Sequence, residues 1–164
     1  MKLLAILVVV MLGLTVSNLK SQGIENQKPS KMKVFEERLE EQLEIAKANF
    51  NEPAKNFGIN FSDETMVIFQ MIKRTLLEGV QDEDFGFGIH LSFDDSFVET
   101  AGELEKFKNS DFADQFEYHS WDGIDTYQLD LKENNDRIKE ITKSIIETVY
   151  KKDASKIEID IFPI

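Results

Sequence analysis

Apolar and polar residues alternate on both sides of Asp122-Gly123, the clearest pattern in the chain. Asp-Gly suits a two-residue type I′ hairpin loop, because both central residues of that turn need positive φ. With those two residues as the loop, Trp121 faces Ile124, Ser120 faces Asp125 and His119 faces Thr126. Tyr118 then faces Tyr127, Glu117 faces Gln128 and Phe116 faces Leu129. Phe116, Tyr118, Tyr127 and Leu129 share one side of the ribbon, while Glu117, His119, Thr126 and Gln128 share the other. A slip of one residue would scramble both sides, so the turn and the pattern specify the same pairing.

The same alternation runs from Phe85 to Phe93. Its second side, Gly86, Gly88, His90 and Ser92, is nearly bare. Glycine inside a strand marks a close approach, and the expected object is a ring such as Trp121 from a neighbouring strand, with a ligand as the alternative. Ile157 to Ile161 alternates as a closing strand that Pro163 terminates. Phe57, Ile59 and Phe61 suggest a short edge strand. Phe97 to Thr100 extends the sheet, and Glu103 to Lys108 forms a short helical turn.

Helical spacing governs three other stretches. Phe35, Leu39, Leu43, Ala46 and Phe50 make one stripe behind Ser30 as N-cap, ending at Asn51-Glu52-Pro53. Ser62-Asp63-Glu64 has the cap and acidic first turn of a second helix, with Met66, Phe69, Ile72, Leu76 and Val80 buried and Gly79 as its stop. Asn134-Asn135-Asp136 caps a third, carrying Ile138, Ile141, Ile145 and Val149. The pattern predicts one α+β domain over 31–164. Its fold is a mainly antiparallel sheet of about four strands, with two N-terminal helices and one C-terminal helix packed on one face.

Residues 1–21 stand apart. Leu3 to Val16 is an apolar run of 14 residues behind Met1-Lys2. As a helix it would reach about 21 Å, short of the roughly 30 Å of membrane hydrocarbon. It reads as an export signal, cleaved after Ser17 or Ser21, with a retained signal anchor as the alternative. Residues 22–30 follow as a short tether. The expected compartment is periplasmic or extracellular, with membrane attachment only if 3–19 remain as an anchor. With no cysteine, disulfides, thiolate metal sites and cysteine nucleophiles are excluded.

Charge changes the picture further. From Asp82 to Asp130 there are 14 acidic residues against Lys106 and Lys108, a net of −12 that equals the whole chain's. Elsewhere 17 acidic residues balance 17 basic ones. A field of one sign speeds encounter with a basic partner and repels nucleic acid and anionic membrane. It also serves solubility alone. The expected partner is a basic protein or peptide, met by Asp94, Asp95, Asp122 and Asp125 with Trp121 as aromatic anchor. In size and composition the chain resembles the acidic α+β proteins that neutralise basic toxins, without a shared motif. An inhibitor, an immunity-type protein or an envelope accessory factor fits this expectation.

Catalytic motifs are absent from the sequence. Asp82-Glu83-Asp84-Phe85-Gly86 opens like a calcium loop, but an EF-hand would need glycine and glutamate where Phe87 and Phe93 stand. Asp94, Asp95 and Asp122 offer a looser oxygen site. His90 and His119 are the only imidazoles, and with Glu117 they supply the donor types of a two-histidine, one-carboxylate metal site. A metal-dependent hydrolase on those three residues is the alternative function, and a structural envelope domain is the plainest one. No cofactor is expected.

Overall fold

The computed structural model of the chain describes residues 33–93, 102–121 and 124–164. The export segment, the tether, Ser30, Phe97 to Thr100, Asp94, Asp95 and the Asp122-Gly123 turn lie outside them.

Six strands form one antiparallel sheet: β1 (Phe57–Ser62), β2 (Val67–Lys73), β3 (Phe87–Phe93), β4 (Glu117–Trp121), β5 (Ile124–Lys132) and β6 (Glu158–Pro163). Their spatial order is β4-β5-β3-β2-β1-β6. Among the described residues three α-helices accompany them, α1 (Phe35–Phe50), α2 (Glu103–Lys108) and α3 (Asn135–Ser144). The hairpin register holds as read, from Glu117 opposite Gln128 to Trp121 opposite Ile124. Phe116 stands just before β4 and is buried with Tyr127 and Leu129, whereas Tyr118 is 55% exposed.

The pleat sends Phe57, Ile59, Phe61, Phe69, Met71, Phe87, Ile89, Leu91, Tyr127, Leu129 and Ile159 into one core with the stripes of α1 and α3. α1 contributes Phe35, Leu39, Leu43 and Ala46, and lies against β1, β6 and α3. The Asn134 side chain accepts from the Arg137 N–H, capping α3 as its sequence implies. Phe107 of α2 is fully buried among Phe93, Phe112, Phe116 and Tyr127. Ten of the twelve phenylalanines among the described residues are buried in this core.

Three expectations are corrected. The sheet has six strands rather than about four, and β1 is interior, between β2 and β6. The second N-terminal helix does not exist: Val67–Lys73 is a strand paired with β1 and β3. Its residues are apolar on both sides of the pleat, and a short apolar run fits helical and strand spacing alike. Asp63, read as a helix cap, accepts instead from the N–H groups of Thr65 and Met66 and closes the β1–β2 turn. The chemistry is the same, a carboxylate collecting orphan N–H groups, but the element differs.

Candidate docking face

Helices cover one side of the sheet. On the other, the register aligns one polar row through all six strands: Glu117, Gln128, His90, Gln70, Asn60 and Asp160. Five interstrand steps give this row a length of about 24 Å. Its middle is neutral, with Gln70 Nε2 donating to Asn60 Oδ1 at 2.7 Å. Its ends, Glu117 and Asp160, are exposed carboxylates on the two edge strands. Glu158 shares the face with Asp160, opposite Ser62.

The β2–β3 connection folds back over part of this face. Leu77 sits where a Cβ on Gly88 would be, within 2.5 Å of that position. The Arg74 side chain and the Lys132 backbone fill the same space at Gly86. The close approach expected at these glycines is therefore real, but the approaching groups are Leu77 and Arg74 rather than an aromatic ring. Arg74, 3% exposed, fixes the loop. Its Nε and Nη2 donate to Asp130 at 2.9 and 2.7 Å, and Asp82 accepts from its other edge. These bonds hold Asp82 below the usual carboxylate range. Asp130 is lowered as well, although its burial works against the shift. Lys132 adds its positive charge to the same knot. Two carboxylates of the acidic window are thus consumed in anchoring one arginine.

Beyond the knot the loop reaches β4 and β5. Glu78 N–H donates to Gln128 Oε1 at 2.9 Å, and Glu78 Oε2 lies 3.1 Å from His119 Nδ1. His119 Nε2 is 3.9 Å from Glu117 and has no hydrogen-bond partner among the described residues. A groove of about 300 Å³ opens here, and Glu78, Glu117 and Asp130 bring three carboxylates to its walls. Burial, then the nearby His119, pushes the His90 imidazole below its ordinary range.

His90, His119 and Glu117 do share this face, as their strands imply. They do not converge: among the described residues no three ligating side chains stand close enough to hold a metal ion. Of the proposed docking residues, Asp125 accepts from the Tyr118 hydroxyl at 3.0 Å and pairs with Lys108 at 3.4 Å, so its charge is engaged. Trp121 ends β4 opposite Ile124; Asp94, Asp95 and Asp122 lie outside the described residues. Asn60, Gln70, Glu78, Glu158 and Asp160 were not singled out from sequence. The Glu158–Asp160 alternation was the one local signal that pointed to them.

Charge is sorted between the two sides. On the helical side cations and carboxylates pair: Lys143 with Glu36 at 2.6 Å, Lys139 with Glu40 at 3.2 Å, and Lys33 and Lys47 with Glu41 and Glu133. On the open side Glu158 and Asp160 have no cationic partner among the described residues, and Glu78 and Glu117 meet only His119. Compared with family models, characterised proteins and solved structures, the chain matches none.

Proposed function

We propose that this chain is an exported, non-catalytic binding protein whose open sheet face docks a basic protein or peptide, in the manner of an inhibitor or immunity-type protein. The observation that carries this reading is the sorting of charge. Apart from the Arg74–Lys132 knot, the open face holds no cation opposite its carboxylates among the described residues: Glu158 and Asp160 have no cationic partner there, and Glu117 meets only His119. A docked lysine or arginine would supply the missing charge, and the groove beside Glu78, Glu117 and Asp130 is large enough to receive one side chain. Such complementarity acts mainly on association rate and on rejection of wrong partners.

The test is affinity capture with the chain lacking residues 1–21, washed at low and at high salt, beside a Glu117→Lys, Glu158→Lys, Asp160→Lys variant. A basic protein held at low salt, released at high salt and lost from the variant supports the reading. Retention by the variant, or release that ignores salt, overturns it.

A further inference from the structure

A second site lies at the β1–β2 turn, away from the polar row. A cavity of about 290 Å³ opens there, lined by Thr65, Met66, Ile68, Glu103, Tyr150 and Lys152. Ile68 enters it because the β1–β2 register shifts between Phe61 and Ser62, opposite Val67 to Phe69. Tyr150 is placed by a change in helical winding. After α3 the chain widens into a π turn over Ile145–Val149, and Tyr150 N–H donates to the Ile145 carbonyl at 3.3 Å. Wide turns of this kind are rare and concentrate at functional sites. Lys151 then adopts a left-handed φ of 55°, and Lys152 N–H returns to the Ile146 carbonyl at 3.0 Å.

The polar groups in this cavity are unevenly matched. Lys152 is already paired with Asp63 at 2.6 Å. Glu103 lines the same cavity with no hydrogen bond or ion pair to its carboxyl among the described residues, and burial raises it above the usual carboxylate range. Tyr150 is 9% exposed, its ring stacks on Phe69, and its hydroxyl has no partner among the described residues. Met66, 42% exposed, and Ile68 supply an apolar wall. The cavity's one lining cation, Lys152, is held by Asp63, so the Glu103 carboxylate and the Tyr150 hydroxyl beside an aliphatic wall are left to accept a second cationic donor on a carbon stem.

We propose that this cavity binds an alkylammonium group, with its nitrogen on Glu103 and Tyr150 and its stem against Met66 and Ile68. A free primary amine and the lysine side chain of another protein present the same chemistry. The site does not depend on the open-face reading, since none of its residues belongs to the polar row.

The experiment is an NMR titration of the full chain with n-butylammonium, Nα-acetyl-lysine amide, n-butanol and acetate. Expected are saturable shifts at Ile68, Glu103 and Tyr150 with the two ammonium probes. Butanol should bind at least tenfold more weakly, and Glu103→Gln should lose at least tenfold in affinity for butylammonium. Tyr150→Phe should weaken binding severalfold with an unchanged unfolding midpoint. Tenfold tighter binding of the lysine amide than of butylammonium assigns the site to a protein lysine; equal binding assigns it to a small amine. No saturable shift, butanol binding as well as butylammonium, acetate binding better, or undiminished binding by Glu103→Gln would overturn the proposal. If Glu103→Gln fails to fold, the comparison of butylammonium with butanol on the unaltered chain decides.

Discussion

Arg74 and Gly88 show how single residues hold the loop on the open face. The Arg74 side chain is 4% exposed against 28% for Asp130, so removing it strands a largely desolvated carboxylate. Truncation of one partner in such a pair costs on the order of 3 kcal/mol. Arg74→Ala should lower unfolding free energy by about that amount in a urea titration, and Arg74→Lys should restore little, because one ammonium cannot bridge Asp82 and Asp130 in a fork. Gly88 tests the same contact from below. A side chain there meets Leu77, so Gly88→Val should destabilise by about 1–3 kcal/mol through overpacking. Leu77→Ala should relieve part of that loss, and a double-mutant cycle reads the coupling. Absence of coupling would mean that the loop moves aside freely. The glycines were legible as sites of close approach; what approaches them was not, because Leu77 and Arg74 arrive through a connection with no periodicity of its own.

Whole elements were legible where a local signal fixed them. The β4–β5 register followed from one dipeptide and two alternating runs, and α3 followed from its cap and stripe. β2 was not legible, since an interior strand loses the alternation that identifies an edge or half-buried one. Its pairing with β3 is bridged by a long connection, and the Asp63 turn that pairs it with β1 carries the same cap residues as a helix start. The β1–β2 turn yields a prediction at this scale. Lys152, the Thr65 hydroxyl and the N–H groups of Thr65 and Met66 hold the Asp63 carboxyl far below its ordinary range. Because the folded value lies below the unfolded one, this contribution is complete above about pH 4 and is lost as the pH falls further. The unaltered chain should therefore lose more stability than Asp63→Asn between about pH 5 and about pH 3. Parallel acid titrations of the two would refute this role of Asp63.

At the scale of the molecule, composition gave a net charge of −12 and placed it in one window of the sequence, while the fold redistributes it. Asp82, Asp125 and Asp130 are spent on Arg74 and Lys108, and Glu158 and Asp160, outside that window, join the open face. Sequence could count the charges but could not sort them, because sorting depends on which strands become neighbours. The sorted face has an energetic consequence. Glu158 and Asp160 point the same way about 7 Å apart along β6, within the roughly 10 Å screening length at 0.1 M salt. Their repulsion weakens as salt rises, whereas the ion pairs of the helical layer lose attraction under the same change. The two layers therefore pull the salt dependence of stability in opposite directions, and neutralising one isolates the other. In urea titrations from about 0.01 M to about 0.3 M salt, Glu117→Gln, Glu158→Gln, Asp160→Asn should be more stable than the unaltered chain at the low end. It should lose that advantage at the high end. A face kept acidic against its own stability is what a binding surface predicts. Equal stability at every salt concentration would leave the charge as a solvated coating with no repulsion for a partner to relieve.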